Sequence, residues 1–176
     1  MRYIADTVDF ELEEPTVVTI GKFDGRHRGH QKLLRTMEEV KETLGYATAI
    51  FTFSTAPLTL VTGETATVIT TSEERRHNME KMGIDYLVEY PFTDDVRKMD
   101  PAVFVKDILV KRMKAKAVVV GPDCSFGYKG AGNVELLRTL SRELDFRLYV
   151  IEKEKDHRRD ISSTYIREEL SRGNVA

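Results

Sequence analysis

One cysteine, Cys124, is all the thiol this 176-residue chain contains, so no internal disulfide and no cysteine-based metal cluster can form. An excess of either charge is missing too. The 27 Lys and Arg residues stand against 29 Asp and Glu, a formal net charge of -2. That balance excludes wholesale attraction to nucleic acid or an anionic membrane, and any grip on phosphate must come from local groups. No apolar run approaches the length of a membrane helix. The opening MRYIADTVDFELEEP lacks the apolar core of a signal peptide. No repeat and no low-complexity tract occurs. Two common phosphate fingerprints are absent as well: neither a P-loop G-K-[ST] ending nor a G-x-G-x-x-G is found. These absences point to a protein of a reducing cytoplasm, with small molecules rather than polymers or membranes as partners.

The chain does have alternation. With 41% hydrophobic and 32% charged residues it reads as globular, and its length suits a single domain over residues 1–176. Short β-branched runs predict five strands: TVVTI (16–20), YATAIFTF (46–53), DYLVEY (85–90), AKAVVVG (115–121) and FRLYVIE (146–152). Amphipathic stretches lie between them. In HQKLLRTMEEVKETLG, Leu33, Leu34, Met37, Val40 and Leu44 share one helical face. TSEERRHNMEKMG opens with a capping-box pattern, Thr71 with Glu74. DPAVFVKDILVKRMK begins with Asp100 as cap and Pro101 at the first helical position. NVELLRTLSREL aligns Leu136, Leu137, Leu140 and Leu144, and SSTYIREELSRG predicts a last helix. The expected fold is α/β, a doubly wound five-stranded parallel sheet with right-handed crossovers. Ligands of such sheets bind beyond the carboxyl ends of the strands, at the switch point in strand order.

Three loops at those ends carry unusual residues. In GKFDGRHRGH (21–30), glycines permit a sharp bend and a helix starts near Gly29 or His30. The free amides and dipole of that helix end favour an anion. His27 and His30 are three residues apart and can share one side of the helical start. Two readings of the residues stay open: a cradle for a phosphoryl transition state, or a structural turn whose histidines cap a helix. A zinc site lacks a third ligand at sensible spacing, and no metal ligands are assigned. In ISSTYIREEL, Ser162, Ser163 and Thr164 precede a helix, with Arg167 one turn beyond Thr164. Hydroxyls, amides and a guanidinium can grip a polyphosphate, or can serve as an ordinary cap with a solvated arginine. In VVVGPDCSFGYKGAGNVELL, four glycines crowd one loop, and Phe126 belongs either to a pocket or to the core.

Taken whole, TIGKFDGRHRGHQKLL resembles the first signature of the nucleotidyltransferase superfamily with the pattern [TG]-x-G-x-F-D-x-x-H-x-G-H. Within it, the chain resembles the FMN adenylyltransferase (FAD synthetase) module of prokaryotic bifunctional riboflavin kinase/FAD synthetases. S-S-T-x-x-R resembles that family's second signature, and the glycine-rich loop its V-V-G-x-[DN]-F-x-F-G segment. The resemblance implies a Rossmann-like nucleotidyltransferase fold and the reaction FMN + ATP to FAD and pyrophosphate, with Mg²⁺ accompanying ATP. It implies that His27 and His30 contact the ATP phosphates. Ser162, Ser163, Thr164 and Arg167 would hold the β- and γ-phosphates and help pyrophosphate leave. It also implies that Gly21, Phe23, Asp24 and Gly29 shape the phosphate turn, and that Asp123, Phe126 and Gly127 border the nucleotide and flavin pocket. The parallel sheet should bring the two signatures together across one cleft.

The chain departs from the pattern after its second expected strand. Where the family usually reads F-x-F-D-P-H-P, the sequence is FTFSTAPLTL, with Ser54, Thr55 and Ala56 at the acidic, proline and histidine positions. Arg26 and Arg28 within the first signature, Tyr165 within the second and Cys124 in the third are further departures. The altered stretch keeps two alternatives in view: a transferase for another phosphorylated acceptor, and a non-catalytic flavin or ATP-binding remnant. The family's riboflavin kinase barrel has no counterpart in these residues. No flavokinase activity is therefore expected, and a separate riboflavin kinase is implied as a partner.

Overall fold

A computed structural model describes residues 1–23, 28–54, 71–152, 155–156, 159–160 and 171; the side chain of Arg28 is outside that description. Six strands form one all-parallel sheet: β1 (Arg2–Ala5), β2 (Thr16–Ile20), β3 (Ala47–Phe53), β4 (Tyr86–Tyr90), β5 (Ala115–Val120) and β6 (Arg147–Val150), in the order β1-β4-β3-β2-β5-β6. The α/β doubly wound class expected from the sequence is present. The strand count is six rather than five. The added strand, RYIA, is half exposed and has no alternating apolar face. It is held at the sheet edge by pairing with β4, Tyr3 opposite Leu87, so no apolar pattern announces it. A short antiparallel pair, β7 (Lys155–Asp156) and β8 (Arg159–Asp160), lies apart from the sheet.

The four central strands, β2 to β5, are buried on both faces, and their alternate residues sort into two cores. Val17, Ile50, Leu87 and Val119 meet Leu33, Leu34, Met37 and Val40 of α1 (Arg28–Leu44), with Met79 of α2 (Ser72–Lys81). Their sequence neighbours Val18, Phe51, Val88 and Val118 face the opposite way. There they meet Phe104, Val105, Ile108 and Leu109, and Leu137 and Leu140 of α5 (Val134–Glu143). A slip of one residue in any strand would exchange the two cores, so register is strongly specified.

Two of the helix starts read from the sequence, at Thr71 and Asp100, are built as expected. Thr71 Oγ1 accepts from Glu74 N–H at 3.2 Å, and Glu74 Oε2 accepts from Thr71 N–H at 2.8 Å. After a short helix α3 (Asp94–Arg97), Asp100 Oδ1 accepts from Ala102 N–H at 2.8 Å, and α4 (Pro101–Val103) begins at the proline. This helix continues without a break as a π-helical stretch, Phe104–Arg112, which ends with Met113 N–H donating to Ile108 C=O at 2.9 Å, five residues back. The buried residues explain the wider turn. Phe104/Val105, Ile108/Leu109 and Met113 step by four to five positions, and all are buried.

At the amino-terminal end of the sheet, away from the loops of interest, Asp85 ties three elements together. Its Oδ2 accepts from Lys41 Nζ at 2.8 Å, Thr48 N–H at 2.8 Å and Thr48 Oγ1 at 3.0 Å. Partial burial pushes the Asp85 carboxyl up, but the hydrogen bonds from Lys41 and Thr48 outweigh it and hold the group below the usual aspartate value. A carboxylate depressed in the folded state adds stability above its unfolded pKa of about 4, and that stability is lost as pH falls through the folded value. Asp85→Asn is therefore expected to destabilise the protein by about 1–2 kcal/mol at neutral pH. In urea denaturation the gap to the parent should narrow as the pH falls below about 4. A gap constant from neutral to strongly acidic pH would contradict this.

Candidate active site at the switch point

From β2 the chain winds outward through β3 to β4, then returns to place β5 on the other side of β2. The switch point therefore lies between β2 and β5, where such sheets hold ligands. Here β2 runs out at Ile20 into Gly21, whose N–H donates to Phe51 C=O at 3.1 Å. A Cβ on Gly21 would come within 3.1 Å of the Phe23 ring, which folds back over it. Phe23 itself is 2% exposed and has a left-handed backbone, φ 48°. Its ring lies 4.7 Å from that of His30, centroid to centroid, tilted by 35°. His30 stands in the first turn of α1, beside Gly29, where the helix has no intrahelical partners for its amides. Gly21 and Phe23 are thus brought beside His30 at the start of α1, with Gly29 preceding it in the helix. Asp24 and His27 lie outside the described residues.

On the other face of the sheet, over the ends of β2 and β3, is a cavity of about 510 Å³. Six aromatic side chains wall it: Phe51, Phe53, Phe92, Phe104, Phe126 and Tyr128. Three of its lining residues are cationic, Lys22, Arg97 and Lys129. Phe126 serves both readings left open by the sequence: it is 7% exposed, packs 5.6 Å from the Phe104 ring, and lines the cavity. The loop that carries it is fixed by hydrogen bonds between Phe126 and Gly132, N–H to C=O in both directions, at 3.2 and 2.8 Å. Gly127 follows with φ 72° and lies so close to Pro101 that a Cβ would meet its Cβ at 2.6 Å. Asp123 is not part of the cavity wall. Its carboxylate sits by Gly121, where a Cβ would be 3.3 Å from Oδ1.

Composition also decides what the site is suited to hold. Apolar rings and cations fit a planar ring system bearing an anion. Among the described residues there is no group of three or more His, Cys, Asp or Glu side chains that could hold a metal ion. Cys124 is no nucleophile in this setting: burial, and secondarily the charge of Asp123, push its thiol up to about 12. Ser162, Ser163, Thr164 and Arg167 lie outside the described residues, and so does most of the altered stretch after β3. Ser54 is described; its N–H donates to Tyr90 C=O at 3.1 Å. The cationic lining was not legible in the sequence, because Lys22, Arg97 and Lys129 come from three separate segments, two turns and the end of α3, with no shared motif.

The family model for FAD synthetase matches residues 9–165. The chain belongs to the FAD synthetase family. Its similar proteins include the bifunctional riboflavin kinase/FMN adenylyltransferase of Buchnera aphidicola subsp. Acyrthosiphon pisum, 31% identical over 166 residues, with 94% of this chain and 53% of that protein covered. The protein of the same description from Escherichia coli K12 is 30% identical over 165 residues, at 93% and 53% coverage. The chain therefore spans about half the length of the curated relatives it matches. A solved structure from Streptococcus pneumoniae, described as a macrolide-efflux protein, superposes with TM-score 0.83 at 25% identity, over 99% of this chain and 59% of its own. Among the described residues no helix is long and apolar enough to cross a membrane. The pantoate-beta-alanine ligase of Francisella tularensis shares the fold, with TM-score 0.58 at 11% identity, over 92% of this chain and 69% of its own.

Proposed function

We propose that residues 1–176 form one catalytic domain that transfers the adenylyl group of ATP to FMN, making FAD and pyrophosphate. The observation that carries this is the aromatic cavity with cations in its lining, meeting the His30 turn at Gly21 and Lys22 in a chain of the FAD synthetase family. The flavin ring would lie among Phe53, Phe92, Phe126 and Tyr128, with its phosphate drawn toward Lys22. A phosphate oxygen of FMN attacks the α-phosphorus of ATP. One phosphorus–oxygen bond forms as the bond to pyrophosphate breaks, with no covalent enzyme intermediate. His27, His30 and the α1 amides stabilise charge on the transferring group. Ser162, Ser163, Thr164 and Arg167 hold the departing pyrophosphate. Mg²⁺ neutralises phosphate charge when bound with ATP; no protein ligand is assigned to it, since the described site offers cations and rings rather than carboxylates. FMN would come from a riboflavin kinase activity outside these residues, and the reaction would take place in the cytoplasm.

Incubation with FMN, ATP, Mg²⁺ and a pyrophosphatase should yield FAD, resolved from FMN by chromatography. Flavin binding without turnover, across several divalent metals, would instead mark a binding remnant. Ser54, at the place where an acid is usual, favours testing a second reading with another phosphorylated acceptor. In a thermal-shift panel with a non-hydrolysable ATP analogue, stabilisation by FMN alone would exclude that reading.

A further inference from the structure

Behind the phosphate turn lies a buried ion pair that the proposed reaction does not use. Glu89, in β4, is 4% exposed. Its Oε1 accepts from Arg75 Nη2 at 2.5 Å, and its Oε2 accepts from Tyr3 Oη at 2.7 Å. Arg75 projects from the first turn of α2, and its side chain is 13% exposed. Its other terminal nitrogen, Nη1, donates to the backbone carbonyl of Lys22 at 3.3 Å. Nε is buried with no hydrogen-bond partner among the described residues. The guanidinium is thus set by Glu89 on one prong, where Ser72 Oγ also accepts from Nη2 at a longer 3.5 Å, and by Lys22 on the other, at the expense of its own third donor.

From these contacts we infer that Arg75 is a positioning residue for nucleotidyl transfer. It is held by Glu89 and Tyr3 so that its fork fixes the Lys22–Phe23 peptide. The peptide is planar and trans, so anchoring its C=O toward α2 aims the Phe23 N–H away from α2. Phe23 has a left-handed backbone that it would not hold by preference, and its ring backs the His30 imidazole at 4.7 Å. The line of contact runs Glu89, Arg75, Lys22 C=O, Phe23, His30. A lysine cannot replace this function, because one ammonium lacks the planar fork that spans two acceptors. The effect on rate rests on the adenylyl-transfer reading; the effect on His30 does not.

Two variants of the full chain test this, with the parent assayed beside them. Arg75→Lys keeps a charge for Glu89. The double variant Arg75→Met with Glu89→Leu removes the buried pair altogether, an exchange that is often neutral for stability. Both are expected to fold and to bind FMN within about twofold of the parent, while kcat falls by about tenfold or more, the scale of a small misplacement at a reacting centre. The ring-proton NMR signals of His30, assigned through His30→Gln, are expected to shift in both variants. If either folded variant turns over at the parent's rate with unmoved His30 signals, or if neither variant folds, Arg75 is only a structural tie and the inference is overturned. A parent that makes no FAD, with His30 signals that still move in the variants, sinks the proposed function and leaves the positioning role standing.

Discussion

Replacing His30 by alanine is expected to slow FAD formation by about 10²–10³-fold, the usual consequence of losing one preorganised donor to a developing charge. Flavin binding should persist, because His30 lies on the α1 face of the sheet whereas the aromatic cavity lies on the other. The fold should persist as well. His30 is only half buried, and Phe23, its ring partner, is anchored independently among Leu33, Leu34 and Met37. Steady-state FAD formation and flavin fluorescence titration separate the two effects. Equal losses in both would show that His30 shapes the flavin seat. An unchanged rate would remove it from the chemistry and return the turn to a structural role.

Gly127→Ala is expected to destabilise the protein by about 2–6 kcal/mol, the second large effect. Two physical terms add. At φ 72° and ψ -170° the backbone lies in a region essentially reserved for glycine, and a residue with a Cβ held there costs about 1–3 kcal/mol. The new methyl would also sit 2.6 Å from Pro101 Cβ and 2.7 Å from Pro101 Cα, backbone at a helix start that cannot swing aside. Such overpacking costs about 1–3 kcal/mol. For a chain of this size the midpoint of thermal unfolding should fall by roughly 10 °C. Gly130→Ala carries a positive-φ cost without the close packing: φ is 67°, yet only Ser125 lies near, at 3.7 Å. Its cost should be about 1 kcal/mol. Equal effects at the two glycines, by urea denaturation, would overturn the larger cost expected at Gly127. Flavin affinity should weaken in Gly127→Ala, because Phe126, Gly127 and Tyr128 are consecutive in the cavity wall.

Much of this architecture was readable in the amino acids. Strands covered on both faces show as runs of β-branched and apolar residues, and β2 to β5 stand out that way; β6 shows in the apolar run FRLYVIE. Thr71 with Glu74, and Asp100 with Pro101, mark helix starts because capping chemistry is local in sequence. β1 escaped because pairing, not burial, holds it. The π-helical stretch escaped because nothing in local sequence distinguishes a step of four to five from the usual helical period until the core is assembled. In the site, the His30 turn was legible from its glycines and histidines. The cavity was not: Phe53, Phe92 and Phe126 come from separate strand ends, and only the sheet brings them together. Arg75 and Glu89 carry no sequence signal of their pairing, since no rule of spacing connects a helix start to a strand of the same sheet.

Because β2 ends between the imidazole turn and the aromatic hollow, the backbone there is a partition with two unlike sides. What lies on the hollow side can be exchanged without disturbing the other. A substitution at Phe53 or Phe92 would retune which ring is admitted while the nucleotide's seat stays as it was. Under the proposed adenylyl transfer, the choice of second substrate would be a separable trait, open to alteration one aromatic at a time.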